Sequence, residues 1–151
     1  MKKTAFKILS LLLSLLCMLS CFAFASCKGN DDLQSSEEIG ELWKNAIYTS
    51  DTTLGSGSKS VRIKVLAGET SVTLTVKTNK TTLADALLEH GLITGDEGPY
   101  GLYIKTVNGI LADWDVDQTY WEVGINGKAA TSGASDIEIA DGEQYEFTLK
   151  K

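Results

Sequence analysis

The stretch VRIKVLAGETSVTLTVKTNKTTLADALLEHG, residues 61–91, decides the fold class. Val61-Arg62-Ile63-Lys64-Val65 alternates apolar with polar, as a strand with one buried face must. Ala67-Gly68-Glu69 breaks the run. Val72 to Lys77 then alternates again, so the two strands predict a hairpin. At Thr82 the period changes. Leu83 and Leu87 fall on one helical face, Thr82 followed by Asp85 resembles a capping box, and Gly91 suits the C-terminal cap. Two strands and then a helix of about ten residues define the first half of an α+β domain.

The second half continues in β. Asp96-Glu97-Gly98-Pro99 reads as a loop, Leu102 to Val107 as a third strand, and Asn108-Gly109 as a favoured hairpin turn. Tyr120 to Ile125 is a fourth strand closed by Asn126-Gly127. Ile137-Glu138-Ile139 and Tyr145 to Leu149 read as short strands around Asp141-Gly142. The expected fold is therefore β-grasp-like, a mixed sheet packed on a single helix over residues 60–151. Residues 27–59 read as a tether with a short amphipathic helix at Glu37 to Tyr48 and a Gly-Ser linker at Leu54 to Ser58.

Residues 1–26 have a different character. Lys2, Lys3 and Lys7 precede an apolar run from Ile8 to Ala25 that only serines and cysteines interrupt, the pattern of a secretory signal peptide. All three cysteines, Cys17, Cys21 and Cys27, lie in or at the end of this leader. Phe24-Ala25-Ser26-Cys27 resembles the bacterial lipobox, which implies lipidation of Cys27 and an anchor on the extracytoplasmic face of the cell membrane. An uncleaved anchor helix is the rival reading. Without the three leader lysines, 11 basic residues face 20 acidic ones, a net charge of −9. Such a domain repels phosphate backbones, which argues against a nucleic-acid partner.

Catalytic chemistry has little to build on. The sole histidine, His90, sits at the predicted end of the helix and reads as a surface residue near its cap. With no cysteine after Cys27, thiol nucleophiles and zinc clusters drop out. Asp113, Asp115 and Asp117 have the spacing that opens an EF-hand loop, but Gln118 and Gly124 stand where Gly and Glu are required, so a solvated acidic edge is the better reading. The aromatic residues are more informative. Tyr100, Tyr103, Trp114, Tyr120 and Trp121 gather in one third of the domain. Strand alternation puts Trp121, Val123 and Ile125 on one face, and Tyr120, Glu122, Gly124 and Asn126 on the other.

Taken in order, Thr82 to Leu87, Tyr100-Gly101-Leu102-Tyr103, Asn108-Gly109, Tyr120-Trp121, Asn126-Gly127 and Asp141-Gly142-Glu143 resemble the DUF4430 family, which is similar to the C-terminal β-domain of transcobalamin and intrinsic factor. The resemblance implies a non-catalytic domain that binds cobalamin or a related corrinoid and needs no cofactor of its own. On the first functional reading, a lipoprotein of this kind captures a corrinoid or similar planar solute and hands it to a membrane transporter. Carried over by position, the ligand-binding candidates are Tyr120, Trp121, Asn126, Gly127, Ser132 and Gly133, with Tyr100, Tyr103 and Trp114 nearby. In transcobalamins a helical domain closes the other side of the ligand, and this sequence shows no counterpart of it. The alternative is a surface module that binds a protein, peptide or glycan.

Overall fold

The computed structural model describes residues 40–151. The leader, Cys17, Cys21, Cys27 and the first part of the tether lie outside the described residues. From Thr52 onward, nine strands and two short helices follow one another as β1 (Thr52–Gly55), β2 (Lys59–Ala67), β3 (Thr70–Thr78), α1 (Leu83–Leu88), β4 (Ile93–Gly98), β5 (Gly101–Val107), β6 (Ile110–Leu111), α2 (Trp114–Asp117), β7 (Tyr120–Ile125), β8 (Lys128–Ala129) and β9 (Gln144–Lys150). They form a six-stranded mixed sheet in the order β1-β3-β2-β9-β7-β8 and a three-stranded sheet β4-β5-β6. The α+β, sheet-rich class expected from the pattern is the one observed.

The β2–β3 hairpin pairs without a slip from Lys59↔Thr78 to Ala67↔Thr70. Its alternation therefore delivers Val61, Ile63, Val65, Val72, Leu74 and Val76 to one buried face, each at most 2% exposed. β9 lies in the middle of the sheet, parallel to β2 and antiparallel to β7. It contributes Tyr145 and Phe147, both fully buried. Helix α1 packs against β3 and β4 and buries Leu83, Ala84, Ala86 and Leu87. Its N-cap is the one expected, with Thr82 Oγ1 accepting from the Asp85 amide at 3.3 Å. The helix is only six residues long: Glu89 is its C-cap, and Gly91, at φ +63°, reverses the chain.

Four features differ from the sequence reading. The sheet starts before Ser60: Thr52–Gly55 runs as a parallel edge strand on β3, so Leu54-Gly55 belongs to the sheet rather than to a linker. Residues 93–98 form a strand rather than a loop, with a bulge between Thr94 and Gly95. A β-carbon on Gly95 would lie 2.0 Å from the Tyr103 carbonyl oxygen, so only glycine permits this pairing. Ile137 and Ile139 are buried as alternation requires, but the segment makes only a bridge from Glu138 to Thr82, with amide bonds to the residues flanking the α1 cap. Asp113 to Asp117 forms a helical turn, which the reading as a solvated acidic edge did not include, with Asp115 and Asp117 exposed on it.

The lead-in is also docked rather than free. The Trp43 indole N–H donates to the Ala67 carbonyl at 3.0 Å. Asn108, fully buried at φ +52°, grips the peptides of residues 47 and 48. Its backbone carbonyl accepts from the Ile47 amide at 2.9 Å, its Oδ1 accepts from the Tyr48 amide at 2.9 Å, and its Nδ2 donates to the Tyr48 carbonyl at 2.8 Å. The neighbouring Gly109 lies so close that a β-carbon there would stand 2.2 Å from the Asn45 carbonyl oxygen.

Two stability predictions follow from these contacts. Asn108→Ala strands the Tyr48 N–H and C=O and forces a left-handed alanine, so it should cost about 2–4 kcal/mol. Urea unfolding would measure the loss, and hydrogen exchange should show the Tyr48 amide exposed well below the global unfolding free energy. Tyr145 supplies a pH signature. Burial, and then its hydrogen bond to the Glu143 carboxylate, push the phenol up to about 12. The protonated phenol is thus favoured in the folded state. Its contribution is fully present below the ordinary tyrosine value of about 10 and is lost as pH rises through about 12. Urea midpoints of the wild type should fall between pH 10 and 12 more steeply than those of Tyr145→Phe. Equal slopes would show that Tyr145 does not carry the effect.

Candidate functional site

Seven large apolar or aromatic side chains from the second half of the domain or its helix stay exposed although the core is complete. Among them, Tyr103, Leu111, Trp114, Val116 and Tyr120 are between 36% and 80% exposed. Isolated exposed apolar residues need no explanation, but a group of them does. Tyr103, Lys105, Leu111, Ala112, Asp113, Trp114, Asp115 and Val116 line one concavity of about 320 Å³. Tyr120 stands at its margin, edge-on to Trp114 with ring centroids 6.0 Å apart and an interplanar angle of 64°.

Local chemistry holds this arrangement in place. On β5, Ile104 turns to the core, while Tyr103 and Lys105 are exposed on the opposite face. The type I′ turn at Asn108-Gly109 returns the chain as β6 and presents Leu111 beside them. Asp113 then caps the α2 turn, its Oδ1 accepting from the amides of Asp115 and Val116 at 3.1 and 3.2 Å. Asp117 accepts from the Thr119 hydroxyl at 2.6 Å and the Thr119 amide at 3.0 Å. These bonds hold the Asp117 carboxyl below its usual value. Gln118 closes the turn in the left-handed region at φ +62°. Lys105 pairs with Asp96 at 2.5 Å. That hydrogen bond, reinforced by the Asp96 charge and then by Asp113 and Asp115, raises the Lys105 ammonium above its ordinary value.

The predicted site residues do not form one cluster. Tyr103 and Trp114 share the concavity with Tyr120 at its edge. Tyr100, 91% exposed, sits on the β4–β5 turn. The exposed loop carrying Ser132 and Gly133 comes beside that turn: a β-carbon on Gly133 would be 3.8 Å from the Tyr100 carbonyl oxygen, and the Leu102 amide donates to Ser135 Oγ at 3.1 Å. Trp121 is a core residue, 7% exposed, with its indole nitrogen buried and unpaired. Asn126 and Gly127 occupy the other end of β7, roughly 20 Å from Tyr120 along the strand. There Asn126 serves the turn and accepts from the Gln144 amide.

His90 is not a free surface group. Its ring packs on Gly55, where a β-carbon would meet Cε1 and Nε2 at 2.6 Å, and Nε2 is buried without a partner. Among the described residues, no group of three or more His, Cys, Asp or Glu side chains is placed to hold a metal ion. The three aspartates of the acidic run are spread around the α2 turn, with Asp113 and Asp117 already engaged. Sequence reasoning missed Lys105, Leu111, Asp115 and Val116 as lining residues. The available signal was the cap motif at Asp113, which makes residues 114–117 a helical turn and swings Trp114 and Val116 outward.

Comparison with known proteins places this domain among relatives. The DUF4430 family, a domain of unknown function, matches residues 80–151. The 1.30 Å crystal structure of a protein from Ruminococcus gnavus ATCC 29149, described as a candidate metal-binding protein, is 30% identical with a TM-score of 0.59. That match covers 62% of this chain and 98% of the other. Haptocorrin in complex with Cbi is 28% identical at a TM-score of 0.48, over 65% of this chain and 26% of that one. No curated protein matches in sequence. This chain belongs to the DUF4430 family.

Proposed function

We propose that the domain captures a flat solute, cobalamin or a related corrinoid, on the Tyr103–Trp114–Tyr120 concavity, for delivery to a membrane transporter from a lipid-anchored position on the cell surface. The observation that carries this reading is the exposed aromatic group itself. Trp114 and Tyr103 are both more than half exposed, on a framework whose core is complete without them. Aromatic faces offer a planar ligand dispersion and quadrupole contacts without reactive chemistry. The remaining features favour binding over catalysis. His90 is packed away from this surface, and each of Asp113 and Asp117 is engaged in local hydrogen bonds.

At about 320 Å³ the concavity would hold part of a macrocycle and leave the rest to a second surface. Metal binding, the role suggested for the Ruminococcus gnavus protein, is compatible with this reading: cobalt would arrive inside its macrocycle and need no cluster of protein ligands. The lipobox-like Phe24-Ala25-Ser26-Cys27 supports lipidation at Cys27.

Titration of the full chain with cyanocobalamin and dicyanocobinamide, followed by tryptophan fluorescence and calorimetry, tests the proposal. Saturable quenching is expected, and Trp114→Ala should weaken binding about tenfold, as the loss of an aromatic contact does. Absence of both heat and quenching would sink unaided corrinoid capture and favour a surface module for a protein, peptide or glycan.

A further inference from the structure

Not all the charges lining the concavity are satisfied. Lys105 is its only cation, and its ammonium is already paired with Asp96 at 2.5 Å. Asp113 is engaged as the cap of α2. Asp115 differs: among the described residues its carboxylate accepts no hydrogen bond and forms no ion pair, yet it lines the same concavity as the Trp114 and Tyr103 rings. An aromatic face carries negative charge density and attracts cations, most strongly when a carboxylate stands alongside. Two carboxylates and one neutralised lysine give the lining a net negative field, and the whole chain adds to it with a net charge of −6.

We propose that the concavity selects flat organic cations over anions of the same shape, the Trp114 and Tyr103 rings taking the body of the ligand and the Asp115 carboxylate its charge. This inference rests on the reading that the concavity binds a flat solute, and it adds the sign of the charge. A corrin ring around trivalent cobalt, whose core is positive, satisfies the same rule.

A matched pair of bicyclic probes makes the test. The full chain is titrated with N-methylquinolinium, a cation, and with naphthalene-2-sulfonate, an anion of the same size, following tryptophan quenching at low and high salt. The cation is expected to bind at least threefold more tightly at low salt, with the difference shrinking as salt rises. Asp115→Asn should weaken the cation about threefold, whereas Lys105→Gln, which removes the one cation of the lining, should tighten it. Those opposite signs would not arise from general damage to the site. Equal affinity for the two probes, or an Asp115→Asn variant that keeps the wild-type ratio, would overturn charge selection while leaving the concavity as a solute site. If neither probe binds at millimolar concentration, the proposal and the solute-capture reading fall together. Corrinoid binding with an anion preference would overturn the charge rule alone.

Discussion

The architecture depends on the parallel pairing of β2 with β9, from Arg62↔Gln144 to Leu66↔Thr148. Parallel neighbours cannot be joined by a tight turn, so everything between them is one long connection. That connection holds the helix, the second sheet, the α2 turn and the β7–β8 hairpin. β9 then serves both sides: it completes the β2–β3 hairpin and supplies the partner for β7. Its inward residues, Tyr145 and Phe147, are fully buried, and the Tyr145 hydroxyl bonds to the Glu143 carboxylate and the Ala140 amide. A chain lacking this strand would hold β1-β3-β2 and the β7–β8 hairpin with nothing to unite them in one sheet.

The candidate site is built within that connection, where the core makes the fewest demands. Ile104, Val107 and Ile110 fasten the second sheet inward, and the residues between them are free to face solvent. The 113–119 turn stabilises itself: Asp113, Asp117 and Thr119 bond to one another and to the local backbone, and the Asp113 amide donates to Thr119 Oγ1 at 3.0 Å. A loop ordered by its own hydrogen bonds can display Trp114 at 55% exposure without losing its shape. Rigid display of this kind lowers the entropy that a ligand contact must overcome.

Much of the fold was legible because alternation and burial are the same fact read twice. Val61 to Val76 alternates in sequence and is buried in register. Asn108-Gly109 and Asn126-Gly127 declare their turns, since both residues of each pair adopt positive φ. What was illegible lacks that signature. Thr94 to Gly98 is poor in strand-forming residues and becomes a strand only because β5 offers a partner and Gly95 fits beneath the Tyr103 carbonyl. Thr52–Gly55 is recruited by β3, and nothing in its own pattern required that. Asn108 looked like turn chemistry alone, although its side chain also fastens residues separated from it by 60 positions. For the candidate site, aromatic clustering pointed to the third of the domain that carries the concavity. Alternation separated Trp121 from Tyr120 correctly, and positional transfer failed to gather Asn126 and Gly127 with the rings because five strand residues, Trp121 to Ile125, intervene.

Exposed aromatic surface on a small domain invites self-association, and the charge distribution here opposes it. Asp113, Asp115 and Asp117 interrupt the apolar run 111–116 or border it, and the chain as a whole is acidic. Two copies meeting through their concavities would bring Asp113 and Asp115 of each against the same pair on the other, so repulsion between like charges would accompany the apolar gain. A ligand without negative charge meets no such penalty. The aspartates around Trp114 therefore divide two tasks: Asp113 and Asp117 order the turn that displays the ring, and Asp113 and Asp115 set like charge against a second copy of the chain.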